Sequence, residues 1–194
     1  MRELILARHA ESEWNVLERL NGDPSVTVGL SYAGREQARG LGLSAGPVDL
    51  VAHSSFERTR QTAELAWPHA PLLEVPDLGE FGFGSFEGSR WADGFDQWVD
   101  TSAPDVGPPG GGESRVEAAR RFVRGYRTLL ARPEDRIAAV AHGAPVAYVL
   151  LALEGSAPVR RLEGVHQARP FTIAAIDLER ALDLIDAWVV SPAF

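Results

Sequence analysis

LILARHAESEWN, residues 4–15, is the stretch of sequence that decides the fold. It opens with the apolar run Leu4-Ile5-Leu6, typical of a buried strand, and the run breaks at Arg8-His9. Two other short apolar runs, residues 48–52 and 137–141, are followed at once by the polar clusters His53-Ser54-Ser55 and His142-Gly143. In open α/β sheets, ligands bind outside the carboxyl ends of the strands. The sequence therefore predicts that three polar clusters converge on one cleft.

Helical segments separate these runs. Ser31 is placed to cap one helix, and a second helix ends before Pro68. Apolar residues recur at helical spacing over residues 116–130, and residues 144–153 form an apolar helical stretch.

Further strands are predicted at residues 72–75 and, as a terminal antiparallel pair, at residues 171–177 and 182–190. Strands that alternate with helices indicate an α/β fold, here a three-layer sandwich with a mostly parallel central sheet and helices on both faces. The length predicts a single domain, residues 1–194, with a Pro/Gly-rich, lid-like loop at about residues 99–112.

Composition excludes several classes of protein. Hydrophobic residues make up 45% and charged residues 24%, which argues against disorder, and the absence of cysteine excludes disulfides and thiolate metal sites. The net charge of −8 disfavours nucleic acid and anionic membrane as partners. No apolar run approaches the ~20 residues of a membrane span, and none resembles a signal peptide. We therefore expect a cytoplasmic protein that acts on a small substrate; a homodimer is a candidate assembly, with an interface residue among Trp67, Trp91, Trp98 and Trp188.

The predicted cleft combines groups that bind and transfer a phosphoryl group. Arg8 lies beside His9, and Ser55 is placed to cap a helix with Arg58 in its first turn. Guanidinium groups and helix N-termini form a receptor for a tetrahedral dianion. A neutral imidazole can attack phosphorus, and a carboxylic acid must protonate the leaving alcohol. For that acid, composition leaves Glu80 and Glu87 open.

Five blocks in order resemble the histidine phosphatase superfamily, which includes cofactor-dependent phosphoglycerate mutases. The first is LILARHAESEWN, similar to that family's Arg-His-Gly-Glu-(Ser/Thr)-x-x-Asn signature, although Ala10 stands where the family usually has glycine. The others are GLSYAGREQARGLG (29–42), HSSFERTRQTAE (53–64), LGEFGFGSFEG (78–88), and GGGES (110–114) followed by VAHGAPVAYVLL (140–151). Together they cover most of the chain.

The resemblance implies a role for each matching position. His9 is the nucleophile that is transiently phosphorylated, and Glu80 is the proton donor, with Glu87 structural. The phosphate-binding core comprises Arg8, Arg58 and His142, and the other substrate-binding positions are Asn15, Asn21, Gly22 and Gly143. No cofactor or metal is implied.

The resemblance leaves the reaction outcome open between a phosphomonoester hydrolase, acting on a small phosphorylated metabolite through phosphohistidine, and a phosphoglycerate mutase. A mutase must keep water from phosphohistidine and hold the substrate's carboxylate with basic residues. Residues 89–112 contain Arg90 as their only basic residue, against four aspartates. This favours the hydrolase, and a non-catalytic phosphate-binding domain ranks behind both.

A metal-dependent hydrolase is the remaining alternative. His9, His53 and His142 with Glu80 could imitate a zinc site, but the chain has no HExxH motif. Arg8 and Arg58 at the same point would repel a divalent cation. The metal site therefore ranks far behind phosphohistidine chemistry, and His53 is expected to be a strand-end residue near the pocket.

Overall fold

A computed structural model describes all 194 residues. Its five strands are β1 (Glu3–Arg8), β2 (Leu50–His53), β3 (Leu72–Glu74), β4 (Arg136–Ala141) and β5 (Phe171–Ala174). They form one sheet in the order β3-β2-β4-β1-β5. Every neighbouring pair is parallel except β1 and β5, which are antiparallel. The predicted mostly parallel α/β sheet is confirmed.

Seven α-helices surround the sheet. They are α1 (Glu13–Val16), α2 (Tyr32–Ala45), α3 (Glu57–Ala66), α4 (Asp96–Thr101), α5 (Arg115–Leu130), α6 (Gly143–Leu153) and α7 (Ala175–Val190). Short 3₁₀ turns lie at Pro76–Leu78 and Gly84–Phe86, and a π-helical turn at Trp91–Phe95 precedes α4. No helix combines the length and apolar character that a membrane crossing requires.

Alternate residues of each strand face opposite sides of the sheet, and this alternation divides the core. Leu4 and Leu6 of β1 pack in a large cluster with buried side chains of α5, α6 and α7. Ile5 and Ala7 pack in a smaller cluster with residues of α2 and α3. The result is the predicted three-layer arrangement, with helices on both faces of the sheet.

The predicted strand at residues 182–190 is wrong, because this segment belongs to α7. Its buried residues recur three and four apart, at Leu178, Ala181, Leu182, Ile185, Trp188 and Val189. That spacing is the apolar stripe of a helix lying on the core. The first member of the predicted pair is a strand, β5, but its antiparallel partner is β1.

The helix caps near the cleft differ in part from the expectation. Ser31 caps α2 as predicted, since its Oγ accepts a hydrogen bond from Gly34 N at 2.9 Å. Ser55 does not cap α3, because that helix begins at Glu57 and the Ser55 hydroxyl donates to Glu74 instead. Arg58 nevertheless lies in the first turn, as expected.

The Pro/Gly-rich segment is a loop from residue 102 onward, while residues 99–101 complete α4. Backbone hydrogen bonds join this loop to residues 78–88, the segment that carries the predicted acid. Ser85 N donates to Pro109 O at 2.7 Å, and Glu113 N donates to Gly82 O at 2.9 Å. A lid role for this loop stays a prediction.

Candidate active site

The sheet order brings the ends of β1 and β4 together. The two strands are parallel neighbours with Arg8 opposite Ala141, and His9 N donates to Ala141 O at 2.9 Å. The residues that follow, His9 and His142, therefore lie side by side with ring centroids 5.2 Å apart. Both imidazoles are buried at the carboxyl edge of the sheet, where the sequence predicted the cleft.

His9 is held in the tautomer that a nucleophile requires. Its Nδ1 lies 2.7 Å from Ala10 O, and because a carbonyl oxygen can only accept, Nδ1 carries the proton. The Nε2 lone pair accepts a hydrogen bond from Arg58 Nε at 3.1 Å. Burial, followed by the positive charges of Arg58 and Arg8, lowers the pKa of His9 well below its usual value. The imidazole is therefore neutral at neutral pH.

Arg58 is a buried cation at the centre of the site, with 4% of its surface exposed. Besides His9, it donates to Asn21 Oδ1, to Asn21 O at 2.9 Å and to His142 Nδ1 at 3.0 Å. None of these partners carries a negative charge, and burial lowers the pKa of Arg58 to about 10. A buried guanidinium without a bound carboxylate favours the entry of an anion.

His142 is oriented by Ser54. Because Arg58 donates to its Nδ1, the proton of neutral His142 lies on Nε2, which is 2.7 Å from Ser54 Oγ. Burial and the charge of Arg58 lower the pKa of His142 well below its usual value. His142 therefore brings no positive charge to the site, in contrast to the two arginines. Ser54 was part of a predicted polar cluster, but the sequence carried no signal for this contact.

Arg8 contributes a donor that has no acceptor in the protein. Its NH1 donates to Val165 O at 2.9 Å, whereas its Nε is buried and unpartnered. Buried donors are nearly always satisfied, so an unpartnered guanidinium nitrogen points to a ligand oxygen. Val165 lies far away in the sequence, and nothing in the sequence pattern identified it as the anchor of Arg8.

Glu80 lies at the N-terminus of α6, beside Gly143. Its Oε2 accepts from Gly143 N at 3.0 Å, and its Oε1 accepts from Phe81 N at 2.9 Å and Ala144 N at 3.4 Å. Glu80 is half-buried and near enough to Arg8 and Arg58 to act on the pKa of both guanidinium groups. Of the two candidate acids, this one borders the imidazole pair.

Glu87, the other candidate acid, supports the loop that holds Arg58. Its carboxylate accepts from Asn21 Nδ2 at 3.0 Å and from Gly22 N at 2.8 Å. Glycine is required at position 22, because a Cβ there would lie 2.0 Å from Phe81 O. Glu87 thus fixes Asn21, which in turn accepts two hydrogen bonds from Arg58.

Asn15 stands at the edge of this group. Its Oδ1 accepts from Ser12 N at 3.0 Å and from Gln167 Nε2 at 2.8 Å, so its oxygen is occupied by a helix cap and a distant loop. Its side-chain NH₂ group is left without a hydrogen-bond acceptor in the protein, and a phosphoryl contact stays a prediction.

Ala10 fits where the family usually has glycine. It is fully buried and does not have the positive φ angle that would demand glycine. Its N–H donates to Thr62 Oγ1 at 3.1 Å, which ties the turn after β1 to α3. The methyl group therefore causes no backbone strain at the nucleophile.

The geometry does not support the alternative of a zinc site made by the three histidines and Glu80. Arg58 donates to both His9 and His142, so a cation occupies the position that a shared metal ion would need. His53 is directed elsewhere, with its Nδ1 2.8 Å from Ser54 O. No three histidine, aspartate or glutamate side chains are arranged to ligate a metal ion.

Comparisons with family models and with known proteins point to one and the same family. The family model described as "Histidine phosphatase superfamily (branch 1)" matches residues 4–189. A 2,3-bisphosphoglycerate-dependent phosphoglycerate mutase from Methylobacterium sp. strain 4-46 is 31% identical over 170 residues, covering 79% of this chain and 81% of the mutase. A protein named phosphatase PhoE from Bacillus subtilis strain 168 is 27% identical over 163 residues, covering 81% of this chain and 80% of its own.

Among solved structures, TTHB049 from Thermus thermophilus superposes with a TM-score of 0.68 at 30% identity, covering 88% of this chain and 92% of that chain. The family match extends over both the predicted nucleophile and the second histidine. The chain belongs to branch 1 of the histidine phosphatase superfamily.

Proposed function

We propose that this chain is a phosphomonoester hydrolase that acts on a small phosphorylated metabolite through phospho-His9. The observation that carries the proposal is the state of His9: neutral, buried, with its unprotonated Nε2 beside two arginines. A neutral imidazole is the form that attacks phosphorus, and the arginines neutralise the oxygens of the group it attacks.

The phosphoryl group would bind among donors that have no acceptor in the protein or that donate to neutral atoms. Arg8 Nε has no acceptor, and Arg58 directs its donors at neutral atoms. Gly143 N opens α6, an 11-residue helix whose dipole favours an anion at this end. The unpaired NH₂ of Asn15 is a further candidate donor, and His142 would join as a donor only after gaining a proton on Nδ1.

In the first chemical step, His9 Nε2 forms a bond to phosphorus while the bond from phosphorus to the ester oxygen breaks. Glu80 donates its proton to that oxygen, and the alcohol leaves. In the second step, the Glu80 carboxylate takes a proton from water, the water oxygen bonds to phosphorus, and the phosphorus–nitrogen bond breaks. The products are phosphate and neutral His9, and Glu80 is protonated again.

Glu80 must hold its proton when the ester binds. A phosphoryl dianion that takes the N–H of Gly143 would displace Glu80 Oε2 from its present donor, 3.0 Å away. The freed Oε2 accepts no hydrogen bond from the backbone, so it can carry the proton and donate it to the ester oxygen. Binding of the substrate would thereby prepare the proton donor.

Hydrolysis rather than isomerisation is supported by the segment between the acid and the second histidine. Within residues 89–112 the only cation is Arg90, which is exposed and lies next to Asp93 in the turn that precedes α4. No cluster of basic side chains from this segment is available to retain a phosphoglycerate carboxylate while the intermediate reorients. Several relatives are named mutases, so the two reactions must be compared directly.

The decisive experiment is rapid quenching after mixing with a ³²P-labelled phosphomonoester. We expect an acid-labile, alkali-stable label on the wild-type chain and none on His9→Ala; label on another residue would contradict the assignment. In parallel, 3-phosphoglycerate with catalytic 2,3-bisphosphoglycerate is followed for isomerisation and phosphate release. If isomerisation is faster than the hydrolysis of every phosphoester tested, the chain is a mutase. If phosphate binds but no ester is turned over, the chain is a non-catalytic phosphate-binding domain.

A further inference from the structure

Two cavities border Glu80, and they differ in chemistry. The larger, about 620 Å³, is lined by three arginines and three glutamates together with glycines and prolines. The smaller, about 310 Å³, is lined by 19 residues of which 12 are hydrophobic. The smaller cavity includes the predicted phosphoryl ligands Arg8 and Gly143, whereas the larger includes only Gly22, whose N–H is taken by Glu87. The smaller cavity therefore adjoins the position at which we propose that the phosphoryl group binds.

The wall of the smaller cavity is an aromatic cluster centred on Phe95. This ring stacks on Trp98 at 5.1 Å and meets Phe83 and Trp91 edge-to-face at 5.0 Å each. Apart from Phe83, these rings come from the π-helical turn and α4, the segment in which a mutase would need basic residues. Gly94 has a φ of 111° in this turn, a conformation that side chains other than glycine rarely adopt.

Apart from Arg8, the arginines of this cavity are hydrogen-bonded to the protein itself and are not free to bind an acidic group. Arg115 donates to Ser102 Oγ at 2.7 Å and to Val99 O at 2.8 Å. Arg160 donates to the backbone oxygens of Asp100 and Ser102, both at 2.9 Å. Since these guanidinium groups bond to oxygens of the protein itself, they hold the cavity wall together. The indole N–H of Trp98 is buried in this wall without an acceptor in the protein.

The larger cavity offers no net positive charge for an acidic leaving group. Arg121 is bonded to Glu113 at 2.6 Å, and Arg124 is paired with Asp77 at 3.2 Å. Glu80 and Glu117 add negative charge to the same lining. A substrate carboxylate would have to displace these protein partners or pair with Arg120 alone, which makes no ion pair of its own and acts on the pKa of Glu117.

We infer that the leaving group of the substrate occupies the smaller cavity, so that the preferred substrates are phosphomonoesters of aromatic or bulky apolar alcohols. The inference rests on the proposed function for the position of the phosphoryl group. The cavity volume lies at the lower end of the range for small-molecule sites, which admits a single or fused ring. Burying a ring against this wall stabilises both the bound ester and its transition state.

The test separates binding from turnover. Ethylphosphonate and 2-phenylethylphosphonate are non-hydrolysable and differ only in the ring, so calorimetry gives the effect of the ring on the Kd. The matching phosphates have leaving alcohols of similar acidity, so the ratio of their kcat/KM values reports the same contact during hydrolysis. We expect the ring to lower the Kd and to raise kcat/KM, each by about 10–100-fold, which is the effect of burying one aromatic side chain.

Two variants locate the contact. Gly164 borders the cavity and a Cβ there meets no atom within 4 Å, so Gly164→Phe adds a ring without a backbone clash. Trp98→Leu removes part of the aromatic wall. The matched control is Gly40→Phe, since Gly40 is equally open but lies on the exposed side of α2. We expect the preference for the ring to fall at least about threefold in one or both cavity variants and to persist in the control.

The quantity that decides is the preference for the phenyl compound over the ethyl compound, in Kd and in kcat/KM. The inference is overturned if this preference is absent in the wild type, if it persists unchanged in both cavity variants, or if it is lost in Gly40→Phe as well. Faster hydrolysis of 3-phosphoglycerate than of 2-phenylethyl phosphate would assign the leaving group to the larger cavity instead. Failure of the proposed function gives a different result. In that case, no phosphate ester is hydrolysed, although 2-phenylethylphosphonate still binds more tightly than ethylphosphonate.

Discussion

Replacing Arg58 with alanine removes the one cation that contacts both imidazoles. The side chain donates to His9 Nε2, to two oxygens of Asn21 and to His142 Nδ1, and these four contacts place its charge at the reacting group. Loss of one preorganised electrostatic donor lowers turnover by about 100–1000-fold, equivalent to ~2.7–4 kcal/mol. We expect a loss of this size in Arg58→Ala.

The same substitution should change the pH dependence. The charge of Arg58 is the second largest cause, after burial, of the lowered pKa of His9. Without it, the pKa of His9 rises toward its usual value, while burial still holds it below. Only the neutral imidazole attacks, so the acid limb of the kcat/KM profile should move to higher pH in Arg58→Ala. Arg58→Lys keeps the positive charge, so the acid limb of its kcat/KM profile should stay near the wild-type position. Its activity should be partial, because lysine lacks the planar guanidinium group that donates to several acceptors at once.

The assay is phosphate release from an aryl phosphate over a series of pH values. Arg60→Ala is the matched control, because Arg60 lies on the same helix but is exposed and bonded to Glu57 and Glu64. Circular dichroism and a urea titration establish that each variant is folded. A loss below about threefold in a folded Arg58→Ala, or an unmoved acid limb, would refute the placement of this charge at the nucleophile.

Three further predictions follow from the same contacts. Glu80→Gln should slow alkyl phosphates by about 100-fold or more and aryl phosphates much less, because aryl alcohols leave with little help from an acid. Gly22→Ala should lower kcat by about 10–100-fold, since the new Cβ would lie 2.0 Å from Phe81 O and the loop that holds Arg58 must move. The free energy of unfolding should fall as the pH drops from about 7.5 to 5.5, because burial holds the pKa of His9 and of His142 below the value of unfolded histidine, so the unfolded chain takes up more protons. Each histidine should account for about 1 kcal/mol of that loss.

Each of these predictions has its own control. Equal loss with alkyl and aryl esters would remove Glu80 from proton transfer and leave Glu87 or a water molecule as the candidate. Gly40→Ala should retain wild-type kcat, because its Cβ meets no atom within 4 Å. Urea titrations of wild type and His9→Asn should give a steeper pH dependence for wild type, and identical slopes would show that His9 does not titrate as described.

The features that sequence alone predicted are those with a local physical signature. An apolar run that ends at Arg8-His9 is a buried strand with a polar carboxyl end, and parallel strands place such ends at one edge of the sheet. Helix α5 follows from apolar residues at a period of 3.6. Residues 182–190 were misjudged because a short apolar run fits a strand as well as a buried helix, and the preceding turns of α7 carry the deciding periodicity.

Tertiary structure alone decided the chemistry of the site. The Nε2 lone pair of His9 accepts from Arg58, the orientation of His142 depends on Ser54, and the anchor of Arg8 is Val165. These contacts join residues that are 49, 88 and 157 positions apart. The aromatic wall likewise depends on distant segments, since Trp98 lines the smaller cavity together with side chains from residues 159–165. A pKa or a cavity is a property of surrounding atoms, and in a folded chain those atoms come from distant segments.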